Sequence, residues 1–216
     1  GYVDAKTSLF RLEEEPIAFT ENPISELGLF EAGQRLFEQG KFAAAANVWQ
    51  EVADQSEQAN NQPQKALALH YVALADQQLE HWLDAKRAID RSLQILTRMD
   101  LISRTEKALF AQVLNTAGLV ELKLGHTQAA LETWEKATIA YTEIGDTIGK
   151  LGSQINQAIA LQTLGMYPRS QTIFKQVLAE LESQPNSYLK INTLHQLGIT
   201  LRFTGNLAES RRVLEQ

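Results

Sequence analysis

Along most of the chain, apolar residues recur three and four positions apart, and short polar stretches carrying Gly, Asn or Pro interrupt the runs. That period places the apolar side chains on one face of a helix. It predicts helices over roughly 23–39, 42–60, 64–79, 82–100, 103–124, 127–144, 147–164, 167–183, 187–204 and from 207 onward. Asn22-Pro23 is a start signal, an N-capping side chain followed by a proline in the first turn. Asn60-Asn61-Gln62-Pro63 reads as a loop.

The helices come in a register. Five turn residues, Gly40, Glu80, Gly125, Gly165 and Gly205, are spaced by 40, 45, 40 and 40 residues. Two positions after each stands an aromatic, apolar or small polar residue (Phe42, Trp82, Thr127, Tyr167, Leu207), and five after it a small one (Ala45, Ala85, Ala130, Ser170, Ser210). Nine after it the residue is large: Trp49, Ile89, Trp134, Phe174 and Leu214. Val52, Ser92, Ala137 and Val177 follow three further on. Seven before each turn another small residue recurs, Gly33, Ala73, Gly118, Ala158 and Gly198. A small residue on one helix opposite a large one on its antiparallel neighbour lets the two approach closely, and the turn glycine closes the first helix at positive φ. Trp49 and Trp134 therefore belong to the core, and Trp82 to the packing beside its turn.

These residues resemble the tetratricopeptide (TPR) repeat, a helix–turn–helix unit. Its pattern is met by Leu114, Gly118, Gly125 and Ala130, and again by Leu194, Gly198, Gly205 and Ser210. The resemblance implies an all-α, right-handed α-solenoid of about five helical hairpins. Units are expected near 23–61, 63–101, 103–145, 147–185 and 187–216, the last incomplete. The usual period is about 34 residues; 40 or 45 here implies lengthened helices, and the proline that closes each family repeat is not regular. Long-period arrays of this kind are similar to those of kinesin light chain and of bacterial proteins ending in a CHAT (caspase-like) domain.

Residues 1–22 are expected to form an extended lead, whose Leu9, Phe10, Leu12, Ile17 and Phe19 cover the first unit. An array needs its ends covered, because one repeat cannot bury its own apolar face. The chain begins with Gly1 and its last helix has no stop signal after Leu214, which points to a piece of something longer.

Composition narrows the chemistry. With 20 Lys and Arg against 26 Asp and Glu the net charge is −6, so nucleic acid is not the expected partner. No cysteine is present, which excludes disulfides, cysteine-ligated zinc and a thiol nucleophile from these residues. No 18-residue apolar run spans a membrane. The expected protein is soluble, either cytoplasmic or exported after loss of a signal peptide.

No catalytic or cofactor motif survives inspection. Gly145-Asp-Thr-Ile-Gly149-Lys150-Leu151 is one residue short of a phosphate loop and has Leu where Ser or Thr must hold magnesium. No pair among His70, His81, His126 and His195 is spaced three or four apart for a helical metal site. The expectation is no enzyme, no cofactor and no metal. In the family, the position ten before the turn faces the concave surface, where this chain has Phe30, His70, Asn115, Ile155 and His195. The candidate peptide groove is Gln34, Phe37, His70, Gln77, Asn115, Asn156, Gln162, His195 and Arg202, amides and imidazoles that suit a peptide backbone. Asn156 matches an Asn that long-period arrays place on bound peptides, whereas the Lys/Asn carboxylate clamp of the family is not reproduced. Two functions follow: a non-catalytic scaffold binding a peptide or protein segment in its groove, or the regulatory array of a larger CHAT-type protease. Self-association through the terminal helix is a third possibility.

Overall fold

The computed structural model describes residues 26–182 and 187–215. The expected lead over 1–22 and the Asn22-Pro23 start signal lie outside these residues. Ten helices follow one another among the described residues: α1 (Glu26–Glu38), α2 (Phe42–Gln58), α3 (Gln62–Gln78), α4 (Trp82–Arg98), α5 (Arg104–Lys123), α6 (Thr127–Glu143), α7 (Thr147–Thr163), α8 (Tyr167–Glu180), α9 (Tyr188–Phe203) and α10 (Leu207–Leu214). The 40-residue period is two 17-residue helices with three-residue joints, as α2 and α3 show. The single 45-residue spacing comes from the 20 residues of α5 and the longer joint 99–103 before it.

Left-handed residues and side-chain caps make the joints, and Asn60 at 56° and Gly145 at 71° show that the first device also serves between hairpins. Within each hairpin the first (A) helix ends at a residue of positive φ: Gly40 at 75°, Glu80 at 59°, Gly125 at 86°, Gly165 at 73° and Gly205 at 77°. At the first of these, Gly40 N–H reaches Phe37 O and Lys41 N–H reaches Leu36 O, both at 2.9 Å, satisfying carbonyls that the helix end would orphan. Between hairpins the next A helix starts on a side-chain cap: Asn61 for α3, Ser103 for α5, Asp146 for α7 and Ser187 for α9. Glu106 completes a capping box with Ser103, and that backbone contact holds its carboxyl below the usual range. The Gly145–Leu151 segment is one of these joints: Asp146 accepts from Gly149 N–H at 2.9 Å and so occupies the helix end.

Hairpins close on the small-against-large pairs. A Cβ on Gly33 would collide with the Trp49 indole, and one on Gly118 would lie 2.6 Å from Trp134 Nε1. Both indoles are buried and donate to the A helix, Trp49 Nε1 to Phe30 O at 3.2 Å and Trp134 Nε1 to Asn115 O at 3.0 Å. Where the small residue five after the turn is serine, its hydroxyl makes the equivalent tie: Ser170 Oγ to Ala158 O and Ser210 Oγ to Gly198 O, both 2.8 Å. Consecutive helices pack in chain order, and α3–α5, α5–α7 and α7–α9 also pack directly across hairpins. The A helices thus make the tighter, inner layer, and the B helices (α2, α4, α6, α8, α10) the outer one.

Candidate functional site: the inner layer of A helices

The first three junctions between A helices share one repeated pair: the residue ten before a turn and the residue nine before the following turn. Phe30 packs edge-on against Tyr71 at 4.8 Å between ring centroids. His70 Nε2 and Thr116 Oγ1 share a hydrogen bond of 2.9 Å. Asn156 Nδ2 donates to Asn115 Oδ1 at 3.2 Å. Between α7 and α9, Gln162 Nε2 takes over, donating to Gln196 O at 3.0 Å and to the Thr200 hydroxyl. At the other end Gln34 hydrogen-bonds Tyr71, whose phenol burial pushes up all the same.

This seam takes up part of the candidate groove. His70 and Asn156 are each only 1% exposed, and Gln77 and Asn115 are also buried. The His70 ring and the Asn115 and Asn156 amides face the neighbouring helix and fill the narrow space between A helices. Burial pushes the His70 imidazole down to about 3, so it is neutral in the fold. Gln34, Phe37 and Gln162 are half-buried, while His195 and Arg202 are exposed. The nine candidates therefore lie on one layer, closed in its middle and accessible towards both ends. Two of the closed residues are incompletely satisfied: His70 Nδ1 and Gln77 Nε2 have no hydrogen-bond partner. They stand two helical turns apart on the same face of α3.

The other two histidines sit at turns and pair locally, His126 Nδ1 with Glu121 Oε2 at 2.7 Å and His81 Nδ1 with Asp76 Oδ1 at 3.9 Å. Glu121 also meets Lys86 Nζ at 2.7 Å; burial works against its charge, but Lys86 and His126 together hold its carboxyl below the ordinary value. Among the described residues no cluster of acidic and imidazole groups is arranged to hold a metal, and no helix is long and apolar enough to cross a membrane.

Two of the contacts between hairpins carry an aromatic ring beside the turn. Lys123 Nζ lies 5.3 Å from the Trp82 ring, and the Tyr167 and Phe203 rings stack at 5.3 Å with planes 7° apart. In both cases the residue two after one turn meets the residue two before the next.

The tetratricopeptide repeat profile matches residues 192–216, the α9–α10 hairpin. Solved structures share the arrangement over most of the chain. A Podosopora anserina protein named for kinesin light chain, with nearly identical TPR-like repeats, superposes at a TM-score of 0.75 with 18% identity, over 91% of this chain and 94% of that one. The fold is that of a tetratricopeptide solenoid. The apo form of RapI superposes on the solenoid at 0.73 with 15% identity, over 86% of this chain but 50% of RapI. YrrB, described as a TPR protein with an unusual peptide-binding site, does so at 0.59 with 15% identity, over 90% and 86%. No curated protein matches the chain by sequence.

Proposed function

We propose that this TPR solenoid is a non-catalytic scaffold that binds an extended peptide or protein segment along its inner A-helix layer. The observation that carries the reading is the pair on α3. His70 Nδ1 and Gln77 Nε2 are buried without a partner, and each such group costs about 1–3 kcal/mol until something satisfies it. A peptide backbone supplies both carbonyls and amides, and the half-buried Gln34 and Gln162 flank the pair on α1 and α7. Phe37 at one end and Arg202 at the other offer a ring and a cation to ligand side chains. Fold-level likeness points the same way: a Rap protein is solved with Competence and Sporulation Factor, and the Rap regulator of plasmid pLS20 with the Phr* peptide.

The test is affinity for a peptide selected from a random display library against the purified chain. Gln77→Met keeps the side-chain volume and removes Nε2, so it weakens binding about tenfold, as does Arg202→Ala. An unchanged Kd in both variants overturns the groove assignment.

A second reading is the regulatory array of a larger enzyme of the CHAT-protease type. Ile191 on α9 and Leu214 on α10 are 58% and 48% exposed and favour a partner surface beside the last hairpin, and the sequence of the parent gene downstream of Gln216 tests the reading directly.

A further inference from the structure

Along the edge formed by the hairpin turns, the fourth and fifth units depart from the others. Two before the turn stand Glu38, Gln78, Lys123 and Thr163, but in the fifth unit Phe203. One after it stand Lys41, His81, His126 and Asn206, but in the fourth unit Met166. Phe203 is 67% exposed although one side of its ring stacks on Tyr167. Leu164 and Met166, on either side of the fourth turn, are exposed as well, whereas Leu79 and Leu124 in the register of Leu164 are half-buried. Single exposed apolar residues are ordinary, but four large ones gathered around one turn are not. A hairpin is met by the residue two after the preceding turn, which for Phe203 is Tyr167, so the free side of the ring is not a stacking surface between hairpins. Two cations border the patch. Arg169 Nη1 lies 3.8 Å from the Met166 sulfur, Arg202 precedes Phe203, and both side chains are exposed. Neither pairs with a carboxylate among the described residues. Arg87 and His126, beside the second and third turns, do pair, with Asp84 and Glu121. The acid beside the fifth turn, Glu209, is already engaged by Lys175 Nζ at 3.1 Å and by the Asn206 amide.

From this chemistry we propose that the turn edge of the fourth and fifth hairpins docks a short acidic segment of a partner protein, one with an aromatic or aliphatic residue beside its carboxylates. The apolar residue covers the free side of Phe203 with Leu164 and Met166, and the carboxylates pair with Arg169 and Arg202. The stack on Tyr167 already holds the Phe203 ring, so a ligand side chain meets an ordered surface and little entropy is lost on contact. Guanidinium–carboxylate pairs at such a rim set orientation and association rate more than affinity. An anionic bilayer fits less well, because the chain carries a net charge of −6. A second copy docked symmetrically on the same patch brings arginines against arginines. This inference is independent of what the inner layer binds, although Arg202 borders both surfaces.

The experiment depletes a random peptide display library on the chain carrying both Phe203→Ser and Arg169→Glu, then selects on the unchanged chain. The depletion removes inner-layer binders, so a failure here leaves the groove reading as it stands. The peptides recovered should carry Asp or Glu beside an aromatic or aliphatic residue, and their affinity should fall as ionic strength rises. Phe203→Ser and Arg169→Glu, each alone, should weaken the tightest of them about tenfold. Circular dichroism checks that helix content is kept; Arg169→Glu, on an exposed side chain outside the stack, carries the test if Phe203→Ser disturbs the hairpin. Recovery of no peptide after depletion, recovered peptides without acidic residues, or an affinity indifferent to Arg169→Glu overturns the proposal. So does binding to phosphatidylserine–phosphatidylcholine vesicles that Arg169→Glu abolishes, which assigns the patch to a lipid surface. A dimer by light scattering that Phe203→Ser dissolves overturns it too, and assigns the patch to a second copy.

Discussion

The Trp134 indole occupies the space a side chain at position 118 would need: a Cβ on Gly118 would lie 2.6 Å from Nε1 and from Cε2, while Nε1 donates to Asn115 O one turn away. The pair fixes how closely α5 and α6 approach, and also orients the carbonyl beside the polar seam. Trp134→Ala should cost roughly 3–5 kcal/mol. Gly118→Ala should cost about 2 kcal/mol in the native background, because the indole has to shift. Combined with Trp134→Ala, it should become neutral or stabilising by up to about 1 kcal/mol, through helix propensity alone. Urea unfolding of the four proteins closes the cycle; additive effects would contradict the contact.

Glu80 holds the conformation that glycine holds at the four other hairpin turns, with φ at 59°. A left-handed backbone disfavours a residue with a Cβ by roughly 1–2 kcal/mol, and the extra freedom of unfolded glycine returns part of that. Glu80→Gly should stabilise by about 1 kcal/mol in the same assay, whereas Gly125→Ala should destabilise by a similar amount.

His70 links stability to pH. Its folded pKa, about 3, lies below the unfolded value near 6.5, so the unfolded chain binds the proton more readily between these limits. Stability from this group is complete above pH 6.5 and is lost as pH falls towards 3, at about 1.4 kcal/mol per pH unit. His70→Gln should flatten that dependence between pH 6 and pH 4. Chemical unfolding at several pH values checks it; parallel curves for the two proteins would show that the imidazole is not buried neutral.

The hairpins were legible because their determinants are local and repeated. A residue that tolerates positive φ, a small residue seven before it and a large one nine after it form a pattern that five copies raise above chance. Trp49 and Trp134 could be placed in the core on that basis. The seam between A helices was less legible. Whether Asn115 meets solvent or Asn156 depends on the angle between helices more than 40 residues apart, and an amide has the same letter in either place. One signal was available: His70 and Thr116, like Asn115 and Asn156, stand ten and nine before successive turns, and polar residues paired at that offset announce a contact. The exposure of Ile191 and Leu214 was hidden for another reason, since an apolar residue at a core position looks the same whether or not its neighbour is present.

If the inner A-helix layer receives an extended peptide, its polar side chains report the contact. NMR of the isotope-labelled chain, titrated with the library-selected peptide, reads that contact residue by residue. Side-chain amide signals of Gln34, Gln77 and Gln162, and the His70 ring, should shift on saturation, while Gln50 and Gln128 on the outer helices stay still. Shifts confined to the outer helices or to the α9–α10 end face, with Gln77 unmoved, would contradict it.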